Sequence, residues 1–116
     1  MNFYDYQAYL VPLLIVSFFV WWRMKIQKVK AALPGLIEKG AVIVDVRSRA
    51  EFQQSSRPGS VNIPLNEISA RTKELDPQKT IVLCCASGTR SGVAVGLLKK
   101  NGFKNVVNAG SWTNTL

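Results

Sequence analysis

The sequence predicts an α/β fold: a parallel sheet flanked by short helices on both faces, preceded by one N-terminal transmembrane helix. Three observations predict it. The runs Ala41–Val46 and Ile81–Cys84 are short and almost wholly apolar, as inner strands of a parallel sheet are. Segments with helix punctuation alternate with such runs, which implies parallel strands covered on both faces. Ahead of them stands Ala8–Trp22, fifteen residues without a charge.

Composition narrows the function. A chain of 116 residues is long enough for one domain. Its two cysteines, Cys84 and Cys85, are neighbours. Their Cα atoms, about 3.8 Å apart, are closer than a disulfide usually requires. With no histidine in the chain, two thiols also cannot complete a four-ligand zinc site. The pair suggests a reducing compartment or a reactive thiol. The net charge of +8 includes no basic stripe interleaved with aromatics, which argues against nucleic-acid binding. A positive surface can still attract small anions.

The N-terminal segment reads as a membrane anchor, with residues 1–28 as anchor and basic juxtamembrane segment and 29–116 as the globular domain. Extended back to Phe3, with Asp5 and Gln7 near the headgroups, the apolar run approaches the roughly 20 residues a bilayer requires. Tyr4, Tyr6 and Tyr9 mark one end and Trp21 and Trp22 the other, as in interfacial belts. Pro12 falls early, where a helix tolerates it best. Arg23, Lys25, Lys28 and Lys30 follow, and no Lys or Arg precedes. The positive-inside rule then keeps the domain in the cytoplasm, single-pass, with the N-terminus outside. A cleaved signal peptide would carry its charge ahead of the apolar run. The segment is apolar all round, unlike the amphipathic helices of soluble cores.

Along the globular part, Leu33–Lys39 reads as a short helix interrupted at its start by Pro34-Gly35 and closed by Gly40. After the strand at Ala41–Val46, Ser48 with Glu51 three residues on is a capping box, so a helix should begin at Arg49 and turn Phe52 inward. Gln53–Gly59 is a loop ending in Pro-Gly. Val61–Ile63 is a short strand that Pro64 ends. Asn66 can cap a helix to about Leu75, broken by Asp76-Pro77. Beyond Ile81–Cys84 a helix is expected from Ser91 to Lys100, with Val93, Gly96 and Leu97 inward. Val106-Val107 is the last strand, and Asn108–Leu116 a polar tail. Asp45 and Arg47 are read as structural, Asp45 capping local backbone and Arg47 pairing with Glu51.

The chemistry concentrates in Cys85-Ala86-Ser87-Gly88-Thr89-Arg90-Ser91. A thiol leaves a buried strand, small residues let successive N–H groups turn inward, and a helix follows. Such a curl of amides is an anion site. It favours the thiolate, as does a nearby guanidinium. Cys85 is therefore the candidate nucleophile, needing no histidine. Arg90 is the candidate partner of an incoming anion. Ser91 and Thr89 can donate hydroxyls, or Ser91 can simply cap the helix. Cys84, as the last strand residue, reads as a core residue, with a resolving thiol for a neighbouring chain as the alternative role.

This loop resembles the active-site loop of the rhodanese family of sulfurtransferases. Three further stretches resemble that family in the right order: Val44-Asp45-Val46-Arg47 followed by Glu51-Phe52, Pro58-Gly59-Ser60-Val61-Asn62-Ile63-Pro64, and Gly102–Gly110. The likeness runs from about Val29 to the C-terminus. It departs before Pro58, where Ser55-Ser56-Arg57 stand in place of the family's common Gly-His. The resemblance implies a rhodanese-like sheet and a Cys85 persulfide. Sulfane sulfur would pass from thiosulfate or another small anionic donor to cyanide or a thiol acceptor, with the loop residues Ala86, Ser87, Gly88, Thr89, Arg90 and Ser91 binding substrate. It implies no metal and no organic cofactor.

Two other readings compete. Counted from Cys84, the run is Cys-x5-Arg-Ser, the spacing of cysteine phosphatases. The related cell-cycle phosphatases and arsenate reductases share the rhodanese-like fold, but no carboxylate stands just beyond the arginine as general acid. The other rival is a membrane-tethered sulfur carrier or binding module without turnover of small molecules. The sequence names neither the protein partner nor the oligomeric state.

Overall fold

A computed structural model describes residues 2–116. Four parallel strands form one sheet in the order β2-β1-β3-β4, with β1 at Val42–Asp45, β2 at Val61–Asn62, β3 at Ile81–Cys85 and β4 at Val106–Ser111. The central strand β3 is buried along its whole length. It pairs with β1 in register Val44 to Leu83 and with β4 in register Leu83 to Asn108. A register shift follows, so that Cys84 pairs with Gly110.

Successive side chains of a strand point to opposite faces, and the two cores follow that alternation. On one face Val44, Leu83, Cys85 and Val106 pack against Ala94 and Leu98 of α3 (Thr89–Lys100) and against Ile63 and Ile68. On the other, Ile43, Val82, Cys84 and Ala109 pack against Leu33, with Leu36, Ile37 and Trp112 at the margin. The predicted parallel sheet with both faces covered is present.

The first helix, α1, is one element over Phe3–Glu38. The separate short helix expected over Leu33–Lys39 is its last two turns. Pro34 costs the helix a hydrogen bond, but it lies on the exposed side. There water can take the freed carbonyl, while Leu33, Leu36 and Ile37 hold this end to the sheet. Packing overrides propensity. The helix runs unbroken through residues 28 and 29.

The capping box forms as expected and starts α2 (Arg49–Gln54). The Glu51 N–H donates to Ser48 Oγ at 3.2 Å, and the Ser48 N–H donates to Glu51 Oε1 at 3.2 Å. The helix expected from Asn66 to Leu75 is instead two single 3-10 turns, Leu65–Glu67 and Thr72–Glu74. Asn66 caps nothing: Pro64 precedes the first turn, and its carbonyl accepts the Glu67 N–H at 2.8 Å. Only Ile68 and Leu75 of this stretch are buried, so two anchors suffice and no amphipathic face forces a helix. The expected polar tail is largely structured: β4 continues to Ser111 and a 3-10 turn covers Trp112–Thr115. Its Trp112 ring lies 4.9 Å under the Arg47 guanidinium.

Helix α3 begins two residues earlier than expected. Its inward residues are Ser91, Ala94 and Leu98, while Val93, expected inward, is 53% exposed. Gly88, not Ser91, occupies the N-cap. The buried positions follow the i, i+3, i+7 pattern of one helix face, counted from a start that only the loop geometry fixes.

Candidate active site

Cys85 closes β3 rather than opening the loop, and its side chain is fully buried. The chain then passes through the exposed Ala86 and Ser87, and Gly88 reverses it into α3 with φ 101°. Only glycine takes that conformation without strain. A Cβ there would also meet the Gly110 Cα at 3.1 Å. The reversal brings the α3 N-terminus over the sulfur. The Gly88 N–H donates to Cys85 Sγ at 2.9 Å, and Ser91 Oγ lies 3.4 Å from it.

Burial is the largest influence on this thiol and pushes its pKa up. Against burial act the Ser91 hydroxyl and the N–H groups of Ser91, Gly88 and Ser87, which together hold Cys85 below the ordinary thiol value. The cradle is thus mostly backbone at a helix N-terminus, where partial positive charge gathers. A thiol so placed has its thiolate form favoured.

Cys84 has the opposite setting. Its Sγ points to the other face, 3.8 Å from the Val44 carbonyl oxygen. Burial, followed by the charge of Asp45, pushes it up to about 12. The Cys-x5-Arg count that begins at Cys84 therefore begins at a protonated thiol turned away from the loop.

Residues 29–114 match the rhodanese-like domain family. The chain belongs to that family. Over 66 residues it is 44% identical to the putative sulfur carrier protein YrkF of Bacillus subtilis, a match covering 57% of this chain and 36% of that protein. Over 69 residues it is 38% identical to the thiosulfate sulfurtransferase PspE of Escherichia coli, covering 58% and 66%. The chain thus spans about a third to two thirds of the length of these relatives. A rhodanese-related protein of Thermoplasma volcanium superposes with a TM-score of 0.65 at 33% identity, covering 74% of this chain and 85% of that one. Rhodanese-type sulfur transfer is the chemistry these relatives support.

The other expected site residues of this rhodanese-like domain divide into two groups. Gly88, Ser91 and the Ser87 N–H face the sulfur, whereas Ala86 is exposed and makes no such contact. Thr89 does not reach it: its hydroxyl lies 3.3 Å from that of Ser87, on the exposed side. Arg90 is engaged elsewhere. Its Nη1 and Nη2 donate to the two Glu51 carboxylate oxygens at 2.7 and 3.0 Å. Arg90, with the Ser48 N–H second, holds the Glu51 carboxyl down to about 2. Arg90 lines an open groove together with Val46, Ser48, Arg49, Pro64 and Glu67.

Glu51 is therefore not the partner of Arg47 that the sequence led us to expect. Arg47 pairs with Asp45 in the interior, its Nη2 donating to Asp45 Oδ2 at 2.7 Å and to the Ser55 carbonyl at 2.8 Å. Asp45 does take local backbone, accepting the Arg47 N–H at 3.0 Å. Two residues apart, these side chains meet because the strand ends between them; Glu51, one turn into α2, is left to face Arg90.

Sequence reasoning missed Asn108, which lay in the presumed tail. Its Oδ1 accepts the Ser91 hydroxyl at 2.7 Å and the Gly110 N–H at 2.9 Å, and its Nδ2 donates to the Gly88 carbonyl at 3.1 Å. One side chain thus fixes both the hydroxyl and the glycine that face the sulfur. The shift of β4 register just beyond it aims it there, as bulges commonly re-aim side chains near sites.

Proposed function

We propose that this chain is a membrane-tethered sulfurtransferase that works through a Cys85 persulfide. The Cys85 thiolate attacks the outer sulfur of thiosulfate. A new S–S bond forms, the old one breaks, and its electron pair leaves with sulfite. Cyanide or a thiolate then attacks the outer sulfur of the persulfide, giving thiocyanate or a new persulfide and returning the Cys85 thiolate. The N–H groups that hold the thiolate also suit the persulfide anion, as oxyanion holes suit developing charge. Arg90 stands at the groove where an anionic donor would arrive. The observation that carries this reading is the 2.9 Å contact of the Gly88 N–H with a buried sulfur at the start of α3.

The anchor is part of the proposal. α1 carries an apolar stretch exposed along its length, long enough to cross a bilayer. The cations that follow it favour a cytoplasmic domain.

The experiment is a mass spectrum of the full chain in detergent after incubation with thiosulfate, followed by peptide mapping. One sulfur should be added at Cys85, be lost on adding cyanide, be absent in Cys85→Ser and persist in Cys84→Ser. If neither thiosulfate nor a low-molecular-weight persulfide adds sulfur, the mechanism is wrong. One observation favours a second reading, a dedicated carrier: the 44% identity to a protein named a putative sulfur carrier. A carrier would form the persulfide but turn over slowly with thiosulfate and cyanide, whereas an enzyme would turn over with small molecules alone.

A further inference from the structure

The direction of α1 fixes where the active site faces. Its C-terminal end lies beside the start of β1, where the Ala41 N–H donates to the Leu36 carbonyl at 2.9 Å. That is the edge where the strands begin. Going back along the helix, Ile26 packs near Gly110 at the end of β4, and Trp22 lies beside Gly88 and Gly92. That is the edge where the strands end and the catalytic loop stands. α1 therefore runs antiparallel to the strands, and its remaining N-terminal part leaves the domain on the active-site side.

The length of that part is telling. From Phe3 to Trp22 the helix rises about 28 Å at 1.5 Å per residue, close to the roughly 30 Å of a bilayer's hydrocarbon core. The catalytic loop is level with the end of this stretch: Phe18, Phe19 and Trp22 share one hollow with Ser87, Gly88, Thr89, Gly92 and Val93. No glycine or proline occurs from Leu13 to Leu33, so no flexible linker separates the apolar stretch from the part packed on the sheet. The exposed residues beside this hollow are Ala86, Ser87, Thr89 and Val93, all uncharged and cheap to bring against lipid, while the charged Arg49 and the Glu51–Arg90 pair stand on the α2 side of the same edge. The nearest charges on α1 are Arg23 and Lys25, both exposed and complementary to anionic headgroups.

We infer that the catalytic-loop edge of the domain docks on the phospholipid surface, so that the loop covering Cys85 stands at headgroup level. This rests on the reading of α1 as a membrane span. Donor and acceptor then approach from the Arg90 groove beside the headgroup layer, and the edge carrying Gln78, where the strands begin, points to bulk water.

The test uses the full chain in vesicles of phosphatidylcholine and phosphatidylglycerol, in a Cys84→Ala, Cys85→Ser background that leaves no other thiol. A fluorophore is placed in turn at Val93→Cys, Thr89→Cys, Gln78→Cys and Leu14→Cys, all exposed positions, with folding checked by circular dichroism. Headgroup-nitroxide lipid should quench the Val93 and Thr89 labels several-fold more than the Gln78 label, and mid-chain nitroxide should quench Leu14. If Leu14 is quenched but Val93 and Thr89 behave like Gln78, docking is refuted while the anchor stands. If Leu14 escapes quenching too, the anchor fails and the docking with it. Either of the two loop labels decides the matter should the other variant misfold.

Discussion

Ser91→Ala removes the one side-chain hydroxyl beside the Cys85 sulfur among the described residues, whose single proton goes to Asn108 Oδ1 beside the neutral thiol and turns to the sulfur when the thiolate forms, and it leaves the backbone donors in place. The hydroxyl lies 3.4 Å from the sulfur, a long contact, so the low end of a hydrogen bond to a charged group applies, about 1.5 kcal/mol. That lowers the thiolate fraction about tenfold at a pH below the midpoint. The more basic thiolate is also a better nucleophile, with a Brønsted slope of about 0.4–0.5, which restores about threefold. The net slowing below the wild-type midpoint is then about threefold, while above the midpoint of the variant the variant should be the faster. Asn108 keeps a donor to its Oδ1 in the Gly110 N–H, so no buried acceptor is orphaned. The assay is the rate of Cys85 modification by methyl methanethiosulfonate as a function of pH, in a Cys84→Ala background in detergent. The midpoint of the wild-type profile should lie below that of an ordinary thiol, and that of Ser91→Ala should lie higher. Superimposed profiles, from proteins with equal thermal midpoints, would refute the claim that the hydroxyl stabilises the thiolate.

Other substitutions probe the remaining contacts. Asp45→Asn leaves the buried Arg47 charge without its counter-ion and should cost about 3 kcal/mol, the low end for a broken buried pair, because the Ser55 carbonyl and Trp112 remain; urea unfolding measures it, and an unchanged midpoint would contradict the pairing. Gly88→Ala forces a side chain into positive φ and against Gly110, so it should lower stability by about 1–3 kcal/mol and depress sulfur loading of Cys85 by more than any change in folded fraction explains. Cys84→Ala should leave sulfur loading intact and lower stability by about 1 kcal/mol through the lost packing; a loss of loading with the fold intact would give Cys84 a chemical role. Asn108→Ala frees the Ser91 hydroxyl and the Gly88 carbonyl together, so the pH midpoint of Cys85 modification should move while its accessibility does not, a distinction that a purely structural role for Asn108 would not produce.

Much of the sheet was legible in the sequence. Val42–Asp45 and Ile81–Cys85 are apolar, β-branched and bounded by turns, so local composition specifies them. The Ser48–Glu51 capping box was legible for the same reason: its two hydrogen bonds link residues three apart. Contacts between distant segments were not. Glu51 meets Arg90 across 39 positions, and Asn108 meets Gly88 across 20; spacing carries no signal for either. The Asn66–Leu75 stretch has apolar residues that could sit on a helix, yet two buried anchors hold it without one. The end of β4 was missed because Asn108, Gly110 and Ser111 look like turn residues, and they earn strand positions only by pairing with β3.

The two cysteines show why adjacency in sequence says little about chemistry here. Alternation along β3 sends Cys84 toward the α1 face and Cys85 toward the α3 face. Burial alone raises both thiols, and each is wholly or almost wholly excluded from solvent. What separates them is the supply of donors. Cys84 has a carbonyl oxygen and the carboxylate of Asp45 for neighbours, and both oppose ionisation. Cys85 has the free N–H groups at the start of α3, which no helix can satisfy internally. A one-residue slip of β3 would exchange the two faces and leave the loop closed over Cys84. The register is held by Leu83 and Val44 in one core and Val82 and Ile43 in the other. The lowered pKa of Cys85 is thus set in part by the packing of four aliphatic side chains on the two faces of the sheet.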